Sequence, residues 1–217
     1  TNVIIGKSVS NLDVFAFYES NIHSYVVSED NHYYKSIDGV LFTKDGTTLI
    51  DYPSGSIRND YTIPDGVITV GEFSFAYGNI MYIDIPNTVI TIEHMAFKES
   101  ALVEVVIPDS VVTIKDYAFA ECQLQRVTLG SGLITIESEV FYRNKISSLI
   151  LGENIEVIEG MAFYHNNISN FVIPDSVTTL GHMSFGFNYI QHLTIGSGVS
   201  EMEEAFRGNP IVSYTVS

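Results

Sequence analysis

The sequence predicts a repeat solenoid: coils that stack a parallel β-ladder on one side and return through short helical or irregular segments on the other. Three observations carry this. Aliphatic residues recur at a strict spacing of 22, at Ile63, Ile85, Ile107, Leu129, Leu151, Ile173 and Ile195. With these as position 1, position 13 is a column of phenylalanine: Phe17, Phe75, Phe97, Phe119, Phe141, Phe163, Phe185 and, after a one-residue deletion, Phe206. Eight of the chain's 13 phenylalanines sit in that column, which chance does not produce. Finally, position 2 is proline or glycine in nearly every unit, as at Pro64, Pro86, Pro108 and Pro174. Proline offers no amide to a ladder, so a strand must end there.

The elements follow in chain order. Ile5 and Val27 are 22 apart, so two coils precede the regular run. Val27 and Ile63 are 36 apart, a repeat carrying 14 extra residues. Within that block Asp45-Gly46 lies between two β-rich runs, a strong turn signal that puts an inserted β-hairpin at about 36–53. The whole of 1–217 then reads as a single array of about nine units. In each unit the strand is the stretch before position 2; Leu124–Leu129 and Ile168–Ile173 end in the alternation of a half-buried strand. Positions 5, 8 and 18 are apolar throughout, so a coil carries apolar side chains that only its neighbours can bury. An acid at position 9 (Glu93, Glu137, Glu159, Glu203) predicts one helical turn on the return, where the helix dipole favours an anion. Position 16, with Cys122, Asn144, Asn166 and Asn188, reads as an exposed turn column.

Composition narrows the function classes. Of 217 residues 46% are apolar, too many for a disordered chain. No stretch approaches the roughly 18 uncharged apolar residues of a membrane helix, so no membrane insertion is expected. A net charge of −16 repels phosphate backbones and anionic lipid, which argues against a nucleic-acid partner. The single cysteine excludes an internal disulfide framework, and in a turn column Cys122 is expected to be a free thiol that a thiol reagent titrates at least slowly and that Ser or Asn replaces at little cost. The chain begins at Thr1, which suggests a processed form or an excised fragment. No polar capping repeat is evident at Val216-Ser217, so a natural chain that continues is expected.

Catalytic chemistry finds no footing. His94 and His182 share position 10 but lie four repeats apart, roughly 20 Å at about 4.8 Å per strand, too far to share a metal. His192 stands on the strand's outer face with no ligand pair. There is no Gly-x-Ser-x-Gly elbow and no phosphate loop, and Glu203-Glu204 reads as a solvated return. No catalytic residue, metal ligand or cofactor is expected.

The strand face is the remaining candidate. Positions 20 and 22 both point away from the core. Position 20 varies freely, through Asp60, Tyr82, Glu104, Arg126 and Asn170, so packing does not dictate it. Position 22 is mostly β-branched, including Val106, Ile150 and Val172. Sheet propensity alone explains such a column. The competing reading is a contact patch of Tyr82, Glu104, Val106, Arg126, Ile150 and Val172, with Arg126 and Glu104 close enough to pair. The hairpin around Val40, Leu41, Phe42 and Leu49 is the second candidate surface.

The motif Ile107-Pro-Asp-Ser-Val111…Ile114…Ala118-Phe119, repeated along the chain, resembles the leucine-rich repeat of the BspA-like variety. The block from Tyr34 to Pro53 looks like the hairpin which that family interleaves between repeats. The resemblance implies a right-handed superhelix with its parallel sheet on the concave face. It also implies a bacterial cell-surface or secreted protein, extracellular in location, with an adhesion-type, non-enzymatic role toward a host or extracellular protein. A structural spacer that holds an attached catalytic or anchoring domain is the alternative. The chain departs from the general leucine-rich pattern at the turn asparagine. Position 4, its nearest counterpart, reads Ser8, Gly66, Thr88, Ser110, Gly132, Asn154, Ser176 and Gly198, which predicts no continuous asparagine ladder.

Overall fold

The computed structural model describes residues 1–13, 15–17 and 20–216. The strands that precede position 2 are Asn2–Ile5, Ser24–Val27, Asp60–Thr62, Tyr82–Asp84, Glu104–Ile107, Arg126–Leu129, Ser148–Ile150, Asn170–Ile173, His192–Ile195 and Ser213–Val216. Within three sheets, of two, five and three strands in chain order, they pair in parallel with partners one repeat apart, as in Glu104↔Arg126 and Val127↔Leu149. The last pairing, His192↔Ser213, absorbs the one-residue deletion. Positions 7 and 8 form a second parallel ladder of two-residue strands, from Thr69–Val70 to Glu201–Met202, in two sheets that divide between Thr113–Ile114 and Thr135–Ile136. Both ladders exist because Pro or Gly at position 2 turns the chain and an aliphatic at position 8 pulls it back to the core.

Between the ladders and the return runs the phenylalanine column. Phe75, Phe97, Phe119, Phe141, Phe163 and Phe185 are fully buried. Their rings stack with centroids 4.7, 4.8, 5.4, 5.2 and 5.1 Å apart, and Phe206 follows at 5.6 Å. Each such pair contributes about 0.5–1.5 kcal/mol beyond its buried area. Because the ring sits at one position of the repeat, its spacing also measures the rise per coil.

The returns correct two expectations. Among the described residues there is no helix, so the helical turn expected after position 9 does not form. Positions 11 and 15 instead take positive φ, as in Met95 (53°), Glu99 (55°), Tyr117 (58°) and Glu121 (58°). The hydrogen bonds give the reason. Amides at positions 11, 13 and 15 cross to the next coil: Met95 N to Asp116 O at 3.3 Å, Phe97 N to Ala118 O at 2.7 Å, Glu99 N to Ala120 O at 2.9 Å. The amides between them turn back three residues, as Ala96 N to Glu93 O at 3.2 Å and Lys98 N to Met95 O at 3.1 Å. A helical turn would aim its amides along its own axis instead of at the next coil, and the first four would find no acceptor within it. The left-handed residues cost on the order of 1–3 kcal/mol each, which the inter-coil bonds offset.

Position 16 is the second correction. It is buried, not an exposed turn column: Cys122 is 2% exposed and Asn166 2%. Asn166 Nδ2 donates to Phe141 O at 2.9 Å in the preceding coil and to Phe163 O at 3.2 Å in its own. Its Oδ1 accepts from Ile146 N at 3.0 Å. Asn144, Asn188 and Asn209 repeat this pattern one coil apart. The chain therefore does hold an asparagine ladder, at position 16 and not at position 4. Turning inward after position 15 buries phenylalanine carbonyls that only a donor can satisfy. Cys122 occupies the same place, its Sγ 3.0 Å from Phe97 O and 3.3 Å from Ser100 Oγ. Burial pushes its thiol up to about 12, so it is free but not readily titratable.

The insertion keeps the expected hairpin and adds to it. Val40–Thr43 runs antiparallel to Thr48–Asp51 across Asp45-Gly46. Asp45 Oδ1 accepts from Thr43 Oγ1 at 2.7 Å, Thr47 Oγ1 at 2.9 Å and Thr47 N at 3.0 Å. These bonds, the amide of Thr47 foremost, hold its carboxyl down to about 2. A further strand, Tyr34–Ile37, joins Val40–Thr43 through Asp38 (φ 50°) and Gly39 (φ 84°), the doubly positive geometry that suits a two-residue turn. Thr48–Asp51 then pairs in parallel with Thr69–Val70, so the insertion ends as the first rung of the second ladder. Ser217, part of the expectation about the chain's end, lies outside the described residues.

Candidate protein-interaction face

On the strands of the regular array the core takes positions 21 and 1, as with Val127 and Leu129, and leaves 20 and 22 outside, whereas the last strand, Ser213–Val216, is exposed on both faces. Tyr82, Arg126, Val106, Ile150 and Val172 are exposed and Glu104 is half-buried. The aliphatic three expose 55%, 58% and 62% of their surface in chain order. Register aligns Tyr82, Glu104 and Arg126 in one row across three strands. Val106, Thr128 and Ile150 form the parallel row beside it. Val172 continues that row one coil on, but Ser148–Ile150 and Asn170–Ile173 belong to separate sheets.

Arg126 and Glu104 do pair. The guanidinium Nε donates to Glu104 Oε2 at 3.0 Å and Nη2 makes a second contact with the same oxygen. That hydrogen bond, then the carboxylate's charge, raises Arg126 further above its ordinary value. The pair is solvent-screened and contributes little to stability. Its effect is to cancel charge in the middle of the face, between Tyr82 and the aliphatic side chains, while the exposed Asp60 and Asp84 keep the adjoining strands acidic.

The other candidates resolve plainly. Val40, Leu41, Phe42 and Leu49 of the hairpin are buried, so they offer no contact surface. His94 Nδ1 lies 2.9 Å from Asp116 Oδ1, and His192 Nδ1 lies 2.8 Å from Ser213 Oγ. Among the described residues no three His, Cys, Asp or Glu gather as metal ligands. No helix is long and apolar enough to cross a membrane.

One outward set escaped the sequence reading. Ile68, Ile90, Val112 and Ile134 stand at position 6 in four consecutive coils, 45%, 38%, 52% and 55% exposed. The signal was available: position 6 lies between inward positions 5 and 8, and becomes Glu156, Thr178 and Ser200 in later coils.

Known proteins share this architecture. The sequence matches the BspA type leucine rich repeat region, in six copies, over residues 1–100 and 91–212. No curated protein matches. Among solved structures, a leucine-rich repeat protein from Eubacterium ventriosum aligns with a TM-score of 0.76 at 24% identity, over 98% of this chain and 60% of its own. The pneumococcal vaccine antigen PcpA aligns with a TM-score of 0.57 at 20% identity, over 100% of this chain and 56% of its own. This chain thus spans less than two thirds of either relative.

Proposed function

The chain belongs to the BspA-type leucine-rich-repeat family, and from that premise we propose that it is a non-enzymatic protein-binding module of a bacterial cell-surface or secreted protein. The carrying observation is the exposed aliphatic row of the strand face. Sheet propensity explains a β-branched residue at position 22, and threonine answers that demand at Thr62, Thr128 and Thr194. It does not explain why Val106, Ile150 and Val172 hold apolar surface in water. Beside them Tyr82 and Arg126 are types enriched where interfaces concentrate their energy. Eight strands from Asp60 onward, at about 4.8 Å each, make a face roughly 35 Å long, enough for a standard interface. A surface or secreted location rests on the family.

The test is the triple variant Val106→Asp, Ile150→Asp, Val172→Asp in a pull-down against extracellular-matrix and host-surface proteins. The variant keeps the parent's circular dichroism spectrum and loses the captured partner. A folded variant that still captures the same partner removes the reading.

A further inference from the structure

We infer that the position-6 stripe, Ile68, Ile90, Val112 and Ile134, is a second docking surface, distinct from the strand face, and that it takes a basic amphipathic helix of a partner protein. The stripe is preorganised. The Ile68 carbonyl accepts from Ile90 N at 2.9 Å and Thr91 N at 3.2 Å, and the Ile90 carbonyl from Val112 N at 3.0 Å. The Ile134 carbonyl likewise accepts from Glu156 N at 2.9 Å and Val157 N at 3.2 Å. These bonds hold Ile68, Ile90 and Val112 in one line, and Ile134 follows in the next coil, across the break between the two sheets of short strands.

Spacing selects the occupant. Over these coils the phenylalanine column rises 4.7, 4.8 and 5.4 Å per step. A helix advances about 5.4 Å per turn, so side chains at i, i+4, i+7 and i+11 meet one coil each. A strand laid along the same line repeats its facing side chain about every 6.7 Å and loses register within two coils. Four coils span roughly 15 Å, which about ten helical residues cover.

Charge selects the flanks. The segments around the stripe, 65–69, 87–91, 109–113 and 131–135, contain no lysine or arginine. Asp65 and Asp109 are exposed in two of them, and Ile134 shares a groove with Glu153 and Glu156, the latter ending the apolar column. The bases of the hairpin turn, which adjoins the stripe where Thr47 O accepts from Ile68 N, face other groups: Lys44 donates to Glu29 O and Lys35 lies by Asp45; Lys115 pairs with Glu137. On a chain of net charge −16, a helix with an aliphatic seam flanked by lysines or arginines meets complementary charge at Asp65 and Asp109 and at the Glu153–Glu156 end.

The probe is a fluorescein-labelled 14-residue Leu/Lys peptide with leucine at i, i+4, i+7 and i+11, titrated with the whole protein in anisotropy measurements at 0.15 M salt. A Leu/Glu peptide of the same pattern serves as control. The Leu/Lys peptide binds and gains helical circular dichroism, and the Leu/Glu peptide does not bind. Ile90→Asp with Val112→Asp lowers affinity about tenfold or more, and the neutral pair Ile90→Ser, Val112→Thr lowers it in the same direction. The strand-face triple variant leaves binding unchanged. Equal binding by the parent and the position-6 variants means charge attraction alone and overturns the inference. So does an absence of binding to the parent, or loss of binding in the strand-face variant only.

Discussion

The regular array from Ile63 onward and the region before it solve one problem differently. In the array the buried asparagines of position 16 repeat one bonding pattern from coil to coil, and a single core runs from end to end. The first two coils keep a separate small core of Ile5, Ile22, Tyr25 and Leu41, and use individual polar locks. Asn31 is fully buried, donating to Gly6 O at 2.8 Å and Val9 O at 2.9 Å while accepting from Tyr33 N and Tyr34 N, each at 2.8 Å. Tyr25 donates its hydroxyl to Asp51 on the insertion's last strand. Periodicity makes structure cheap to specify; where an insertion breaks it, single residues must do the specifying.

The largest expected effect lies in the array. Phe119→Ala should cost about 3–5 kcal/mol in urea unfolding, because neighbours on both sides lose a stacked ring. Phe17→Ala, half-buried in the N-terminal region, should cost clearly less. Equal losses would erase the distinction.

Next comes the asparagine ladder. Asn166→Ala strands the amide of Ile146 and leaves the Phe141 carbonyl only its longer bond from Asn144 Nδ2 at 3.2 Å, an expected loss of about 1–3 kcal/mol, whereas the exposed Asn154→Ala should be near neutral. Cys122→Asn restores the array's own residue and should leave stability unchanged or higher. A thiol reagent should label native Cys122 only at the rate of local opening.

The period, the core columns and the outward strand face were legible because each is a one-residue rule repeated many times. The return geometry was not, because left-handed φ is a backbone property that Glu, Met, Tyr and Arg conceal, although neither column ever holds a β-branched residue. Position 16 misled for a chemical reason. Asparagine is common both in turns and wherever buried carbonyls need a donor, and only the structure separates the two. Asn31 and Asp51 lie in the region without columns, so no alignment of repeats could expose them. Tyr82, Glu104, Val106, Arg126, Ile150 and Val172 were placed outward correctly; the position-6 aliphatics sat in a column equally regular and went unread.

The N-terminal region should also answer to pH. Burial pushes Asp51 up to about 7, against the donated Tyr25 hydrogen bond, and Asp13 and Glu72 line the same cleft. An unfolded aspartate titrates near 4, so folding favours the protonated form. That stabilisation is complete below about pH 4 and is lost as pH rises through about 7. Hydrogen exchange in residues 22–51 should therefore quicken between about pH 4 and pH 7 beyond its intrinsic rate, and Asp51→Asn should flatten that excess. A similar excess in the array would place its cause elsewhere. Smaller still, Glu121→Gly relieves a left-handed residue at the expense of chain entropy and should shift stability by under about 1 kcal/mol, whereas Glu121→Val should destabilise.

The central claim, that columns and not the whole chain specify the array, is tested most directly by deleting residues 129–150. The deletion joins Thr128 to Leu151, which carries position 1 as Leu129 did, and it returns Phe163 beside Phe119 and Asn166 beside Cys122. The measurement is cooperative thermal unfolding followed by circular dichroism. The account predicts a soluble protein with the parent's spectrum and a single transition at somewhat lower temperature. An unfolded or aggregated product would show that the coils are not interchangeable, and would contradict it.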